Sequence, residues 1–354
     1  MAGLGSAMKY AYSNTRVKAM ESKLIRKDAL ERMLAAKEPE SIAAMLLQTD
    51  YKADVEKLGG VKAMDTLIDF ALSSNQGRET SKLISIAPKD QRSLIVAVAG
   101  IWDIGNIKIA LEAASTGKDF SDISRYLIES QYARPETIKE AMASKNVEGV
   151  LEKLMLKTPY SAQIKQAMDT YKKTGSAAEA SGALERAYYV RLGATIGRLA
   201  MIDPEAAALI RKRIDMRNIL TLLEAKKHGS DFAHVSNYLF QNGSLDSIKL
   251  EALFRTGRTP ESLAENVKIF NLKKAVEEYR ESKTKPLLIF EIAIMNEVFA
   301  SALRGVRHSV LSFGVLIAFL YLKEIEVFTL RVLMKGKGYG LSNDEIRGMI
   351  SWLK

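Results

Sequence analysis

The 354-residue sequence contains no cysteine. That excludes disulfide staples, iron–sulfur clusters, thiolate zinc sites and cysteine nucleophiles. Proline (7 residues) and tryptophan (2) are scarce, and aromatics make up 7% of the chain. So few turn-forming prolines and strand-favouring aromatics argue against a sandwich or barrel. No apolar run reaches the ~20 residues of a bilayer span. The longest, Ser309 to Leu322, is closed by Lys323 and Glu324 and reads as a buried core helix, as does the shorter run Leu94 to Trp102. Met1 to Met8 is short, uncharged and leads straight into a polar helical pattern, unlike a signal peptide. The expectation is a soluble chain, or one held peripherally at a membrane by a partner.

What is present favours helices. The chain is 47% apolar, enough to fill real cores, and rich in Ala, Leu, Met, Lys and Glu. The fold class read from this is all-α. The net charge is +10 with a pI near 9.4. Each third of the sequence mixes both signs with a small excess of cations, which describes a solvated helical surface. A nucleic-acid binder gathers its cations on one arm or face, so no nucleic-acid partner is expected.

The informative feature is a long repeat. Asp103 to Lys108 reads Asp-Ile-Gly-Asn-Ile-Lys. Asp215 to Leu220, 112 residues on, reads Asp-Met-Arg-Asn-Ile-Leu, and Glu326 to Arg331, another 111 on, reads Glu-Val-Phe-Thr-Leu-Arg. The flanks follow: Gly117-Lys-Asp-Phe120 matches Gly229-Ser-Asp-Phe232, and Arg125-Tyr-Leu-Ile128 matches Asn237-Tyr-Leu-Phe240. Gly338 to Leu341 takes the first of these places in the third copy, within two residues of register. Leu47 to Tyr51 resembles Leu156 to Tyr160, and Pro39 to Ile42 resembles Pro260 to Leu263. A period of this size is a small domain rather than a solenoid unit. The chain reads as three consecutive helical domains, 1–120, 121–232 and 233–354.

Within the first copy, three- and four-residue spacing predicts one long helix or two shorter ones through Val17, Met20, Leu24, Leu30 and Leu34. Pro39 marks a helix start. Gly59 and Gly60 punctuate the chain before a helix over Val61 to Leu72, and Ser73 to Gly77 reads as a loop. Pro88 opens the helix carrying Asp103, and Gly117 ends it. Asp103 and Asn106, three apart, share a helix face among apolar residues and need partners. The reading is a structural pair, tied to an arginine or a backbone group nearby. The same applies to Lys108, to Asp215 and Asn218, and to Glu326, Thr329 and Arg331.

No catalytic constellation emerges. Gly100 to Asn106 lacks the lysine of a phosphate-binding loop. The glycines at 336, 338 and 340 read as a flexible turn. His228, His234 and His308 lack metal-ligand spacing. No catalytic, cofactor or metal residue is assigned, and no cofactor is expected.

Three tandem copies with this motif, the variant Lys323-Glu-Ile-Glu-Val327 leading to Leu330-Arg331, and the opening Tyr10-Ala-Tyr-Ser-Asn-Thr-Arg-Val17 resemble the C subunit of archaeal-type (A/V-type) rotary ATP synthases. That protein is similar to the d subunit of the vacuolar ATPase. Thr329 stands where the other copies have Asn, Phe328 is unusual, and Gly105 is read as interrupting its helix. The resemblance implies a non-catalytic, funnel-shaped body of three domains about a pseudo-threefold axis. It implies a rotor subunit of the central stalk, seated on the proteolipid ring at the cytoplasmic face of the membrane and receiving the shaft of D and F subunits. The alternative is a soluble helical scaffold that binds other proteins.

Overall fold

The computed structural model describes residues 2–57, 64–308 and 311–350, and every regular element among them is a helix. Three long helices carry the repeated motif: Arg92–Ser115, Pro204–His228 and Gly314–Gly338. Each has a second long helix packed along it: Ala177–Ile202 along the first, Leu288–His308 along the second, and Met64–Ile86 along the third. Short helices fill the space between each pair. Around the first motif helix they are Pro135–Met142, Val147–Lys157 and Ser161–Thr174. Around the second they are Ser247–Thr256, Pro260–Asn266 and Lys273–Glu281. Around the third they are Lys27–Ala35, Pro39–Leu46 and Lys52–Glu56.

Each motif helix ends in the same way. Gly117, Gly229 and Gly340 have φ of 69°, 68° and 71°, a region that only glycine enters cheaply. The next N–H in each case, from Lys118, Ser230 and Leu341, reaches back to the carbonyl of Ala113, Ala225 or Gly336 at 2.9 Å. Two residues after each glycine, Asp119, Asp231 or Ser342 stands at the N-cap of a short helix. The turn glycine of the third copy is therefore Gly340 rather than Gly338, and the register with Gly229 has no slip. Gly336 and Gly338 lie in the last turn of Gly314–Gly338. A Cβ on Gly336 would lie 2.7 Å from Ile346 Cγ1, so this glycine lets the helix Asn343–Met349 pack close.

Other expectations need correction. Ser73 to Gly77 is not a loop but the middle of Met64–Ile86. Ser73 and Asn75 are buried and have partners: Asn75 Nδ2 donates to Asp54 Oδ2 at 2.9 Å and to the Asp50 carbonyl at 3.0 Å, and Ser73 Oγ accepts from Arg331 at 2.7 Å. Tertiary partners override the turn-like composition. Gly105 does not interrupt its helix, which runs unbroken from Arg92 to Ser115. The two-helix option holds for the N-terminal stretch, as Ala2–Glu21 and Lys27–Ala35. Gly59, Gly60 and the start of the expected helix at Val61 lie outside the described residues, as do Ser309 and Val310 of the long apolar run.

Three apolar cores result. One joins Leu30, Ile42, Leu46, Val55 and Leu72 to Val327, Leu330, Leu333 and Ile346, so residues from the two ends of the numbering share one core. A second runs from Ile219 to Val298. The largest surrounds the first motif helix and takes in the N-terminal halves of the other two. Residues Lys89–Ser115 are long and apolar enough to cross a membrane, but 67% of the most apolar stretch is buried within the protein.

Gly77 and Gly105 give opposite predictions. A Cβ on Gly77 would sit 2.3 Å from Glu129 Cβ and 2.4 Å from its carbonyl oxygen, whereas one on Gly105 meets nothing within 4 Å. Gly77→Ala should destabilise by about 1–3 kcal/mol or more through overpacking. Gly105→Ala should stabilise by about 0.5–1 kcal/mol by restricting the unfolded chain. Urea unfolding of both variants checks the pair.

Candidate functional site

The motif residues form a buried clasp on each long helix. Asp103 is fully buried and faces the segment that follows the short helices after Gly117. Its Oδ1 accepts the backbone N–H groups of Tyr132 (2.9 Å) and Ala133 (2.7 Å), and its Oδ2 accepts the Tyr160 hydroxyl at 2.8 Å. Asn106, one turn on, accepts the N–H of Ile128 at 3.0 Å and donates to the carbonyls of Ile128 (2.7 Å) and Ala133 (2.8 Å). Backbone groups of Ile128, Tyr132 and Ala133, in the irregular segment that crosses here, are thereby paired, as burial demands.

The second clasp repeats the first. Asp215 accepts from Ser244 and Leu245 at 2.9 and 3.0 Å, and Asn218 pairs both backbone groups of Phe240 at 2.8 and 2.9 Å. The sequence separations are the same in the two clasps, 22 for the asparagine and 29 and 30 for the acid. Leu272 stands in the register of Tyr160 and brings no hydroxyl. Burial lifts the Asp215 carboxyl above its ordinary value of 3.8, and the N–H groups of Leu245 and Ser244 offset this only in part.

The third clasp is built from distant segments. Glu326 accepts the Ile25 N–H at 2.6 Å and the Tyr51 hydroxyl at 2.7 Å. Ile25 precedes the helix Lys27–Ala35 by two residues, as Ala133 precedes Pro135–Met142 and Leu245 precedes Ser247–Thr256. Tyr51 stands at the N-cap of the third short helix, Lys52–Glu56, as Tyr160 does at that of Ser161–Thr174 in the first copy. Buried Lys323 completes this site, 2.5 Å from Glu326 Oε1 and 3.0 Å from the Tyr51 hydroxyl. Burial first, and the neighbouring carboxylates second, raise the pKa of Tyr51 and Tyr160, so both phenols stay protonated donors. Thr329 Oγ1 bonds the Ile325 carbonyl one turn back.

The basic motif residues reach the long helix packed alongside. Lys108 pairs with Glu185, which also takes Arg217 at 2.7 Å. Arg331 takes Asp69 at 3.1 Å and Ser73 at 2.7 Å. The motif acids thus meet backbone N–H groups in all three copies, with a tyrosine added for Asp103 and Glu326, the Ser244 side chain for Asp215 and a lysine for Glu326. Of the two partners expected, an arginine or a backbone group, it is the backbone group that all three acids meet. His228 is exposed and 2.9 Å from Glu224, and His234 stacks near Tyr238.

Sequence reasoning gave no role to a second group, in which the three motif helices meet. Val98, Ile210 and Tyr321 occupy equivalent repeat positions, one per motif helix, and line one cavity of about 20 Å³ with Ile101 and Arg213. Arg213 forms a two-pronged ion pair with Glu324 and lies 4.7 Å from the Tyr321 ring centre. Ile101, Arg213 and Glu324 are again equivalent positions. Burial opposes the charge of Arg213, but Glu324 outweighs it and the pKa is raised. The signal available in the sequence was the 111-residue spacing between Arg213 and Glu324.

No group of three or more His, Asp or Glu able to hold a metal occurs among the described residues. What the geometry supplies is stiffness and repetition. A family model described as ATP synthase (C/AC39) subunit matches residues 13–349. The chain belongs to the ATP synthase C/AC39 subunit family. It is 24% identical over 345 residues to the A-type ATP synthase C subunit of Thermoplasma acidophilum, covering 95% of this chain and 96% of that one. The figures for the A-type C subunit of Haloquadratum walsbyi are 27% over 344 residues, with 95% and 96% covered. For the V-type ATP synthase C subunit of Deinococcus radiodurans they are 25% over 339 residues, with 96% and 90% covered. Family membership makes the chain a non-catalytic, structural subunit of an A/V-type ATP synthase.

Asp103→Asn turns one acceptor into a donor facing a donor. It should cost about 2 kcal/mol or more, against about 1 kcal/mol for Tyr160→Phe, which leaves two N–H groups on the carboxylate. Arg213→Ala leaves half-buried Glu324 without its partner and should cost about 1.5–3 kcal/mol. Urea titration separates the three.

The raised Asp215 value gives a pH signature. The folded state binds this proton more tightly than the unfolded state does. The carboxyl's stabilising share is therefore full below pH 3.8 and is lost as pH rises through the folded value. Stability of the parent relative to Asp215→Asn should fall over that rise, as urea midpoints across the acid range would show.

Proposed function

We propose that the chain is the rotor coupler of its complex. In this reading it sits at the cytoplasmic face, peripheral to the membrane, on the ring of proteolipid subunits. The foot of the central shaft, of D and F type, docks into it, and torque passes between ring and shaft during ion-driven synthesis or ATP-driven pumping. The observation that carries the reading is the meeting of Val98, Ile210 and Tyr321, one from each motif helix, around a single point. Three like units about a pseudo-threefold axis make a hollow, funnel-like body with two ends, suited to joining a ring to an axle.

The three sequence copies, 1–120, 121–232 and 233–354, serve in this proposal as the source of the three units. Each folded unit is built on one motif helix and offset along the chain. The third draws on both ends of the numbering, as its shared core suggests. Close packing of the helices supports the stiffness that torque transfer needs. The clasps contribute by fixing each crossing segment to its helix.

Isolation of the tagged chain from detergent-extracted membranes tests the proposal. Proteolipid and shaft subunits should accompany it at fixed stoichiometry. Recovery of the chain free of both, from membranes that still hold the intact complex, would overturn the coupling role. Small-angle scattering of the isolated chain should give a three-lobed body with a central hollow, and a rod would contradict it.

A further inference from the structure

The first unit carries a cavity that the clasp does not explain. Its volume is about 220 Å³, and it lies between Arg92–Ser115 and Ala177–Ile202, beside Asp103 and its partners. Buried Tyr160, Tyr188 and Leu192 form its inner walls, and Tyr132, 37% exposed, stands at its mouth. The rings of Tyr132 and Tyr160 meet edge to face with their centres 6.2 Å apart. The clasp uses only the backbone N–H of Tyr132. The other two units do without this ring, since Ser244 and Leu24 stand in its register.

The mouth also carries a fixed positive charge. Exposed Arg191 donates through Nη1 to the Pro159 carbonyl at 2.6 Å, which holds its guanidinium 5.6 Å from the centre of the Tyr160 ring. No carboxylate pairs with Arg191 among the described residues. The hydroxyls of Ser93, Thr195 and Tyr132 line the same cavity, and none makes a hydrogen bond among the described residues. Those of Tyr160 and Tyr188 are committed elsewhere, to Asp103 at 2.8 Å and to the carbonyls of Ala97 and Val98 at 2.8 and 3.0 Å. These two residues therefore offer the cavity ring surface.

Tyrosine walls alone would suit an organic cation, but the guanidinium at the mouth repels one. The same group favours a carboxylate, which it binds through charge-assisted hydrogen bonds. Size narrows the choice further. An apolar cavity of about 150 Å³ holds one benzene ring, so about 220 Å³ accommodates one ring with a short acidic arm.

We propose that this cavity binds a single-ring aromatic carboxylate, with the ring among Tyr132, Tyr160 and Tyr188 and the carboxylate on Arg191. The inference concerns the first unit alone and does not depend on the coupling role.

Ligand-observed NMR titration of the full chain with benzoate, phenylacetate and 4-hydroxyphenylacetate tests it. At least one of the three should bind saturably, one per chain, and about tenfold or more tightly than its own neutral amide. Benzyltrimethylammonium should not compete. These comparisons use the parent protein and need no variant to fold. Arg191→Met should weaken binding of the acid by about tenfold or more, with Arg191→Lys intermediate, and Tyr132→Ala should weaken it several-fold. Leu156→Ala, exposed and outside the cavity, should leave it unchanged. Failure of all three acids to bind, equal binding of acid and amide, competition by the ammonium compound, or an affinity unmoved by Arg191→Met or by Tyr132→Ala would overturn the proposal.

Discussion

The buried acid on each motif helix is the contact on which the rest depends. It lies where apolar packing alone would suffice, yet it accepts two backbone N–H groups in the first two units and a backbone N–H and a tyrosine hydroxyl in the third. A buried carboxylate costs several kcal/mol without such donors, and buried N–H groups cost about 1–3 kcal/mol each without an acceptor. Acid and crossing segment therefore require each other. The clasp fixes where the next helix begins, because the last of its N–H donors precedes that helix by two residues in all three units. The start, angle and register of the short-helix layer follow from one side chain.

This coupling explains why the acid recurs through so much sequence change. Its companions vary: Tyr160 and Tyr51 supply hydroxyls, while Leu272 supplies none. Lys323 is present in the third unit, and its counterpart in the first is Gly100, where a Cβ would lie 2.6 Å from the Tyr160 hydroxyl oxygen. The counterpart in the second unit, Lys212, reaches Glu297 and Ser301 instead. The backbone N–H acceptor is what all three keep.

Much of this was legible in the sequence, and the limits have physical causes. Acid and amide three apart on an apolar helix mark a polar pair in need of partners, and the glycine and aspartate that follow mark the cap. Those signals are local. The clasp partners Tyr51 and Ile25 of Glu326 lie 275 and 301 residues away in sequence, so no local pattern joins them. Ser73 to Gly77 looked like a loop because Ser, Asn and Gly disfavour helix interiors in isolation. Their side chains instead meet Asp54, the Asp50 carbonyl and Arg331, and Gly77 makes room for Glu129. The spacing of Arg213 and Glu324 was visible, but the repeat gave no reason to expect equivalent positions to touch.

Contact between equivalent positions brings a difficulty of its own. Like residues would face one another there: three arginines or three glutamates would repel, and three large apolar side chains would need a cavity that fits them all. Here the three places hold Ile101, Arg213 and Glu324, one neutral, one cationic and one anionic, and the two charges pair. Val98, Ile210 and Tyr321 divide the neighbouring layer between two small side chains and one large one, leaving about 20 Å³ unfilled. Even a half-buried ion pair adds little net stability over a well-packed apolar pair. Its effect is directional, since it is satisfied only when the second and third motif helices face each other in one order. Divergence of the repeats where their equivalent positions touch thus lets those positions pack, while the clasps, which make no such contact, remain free to stay alike.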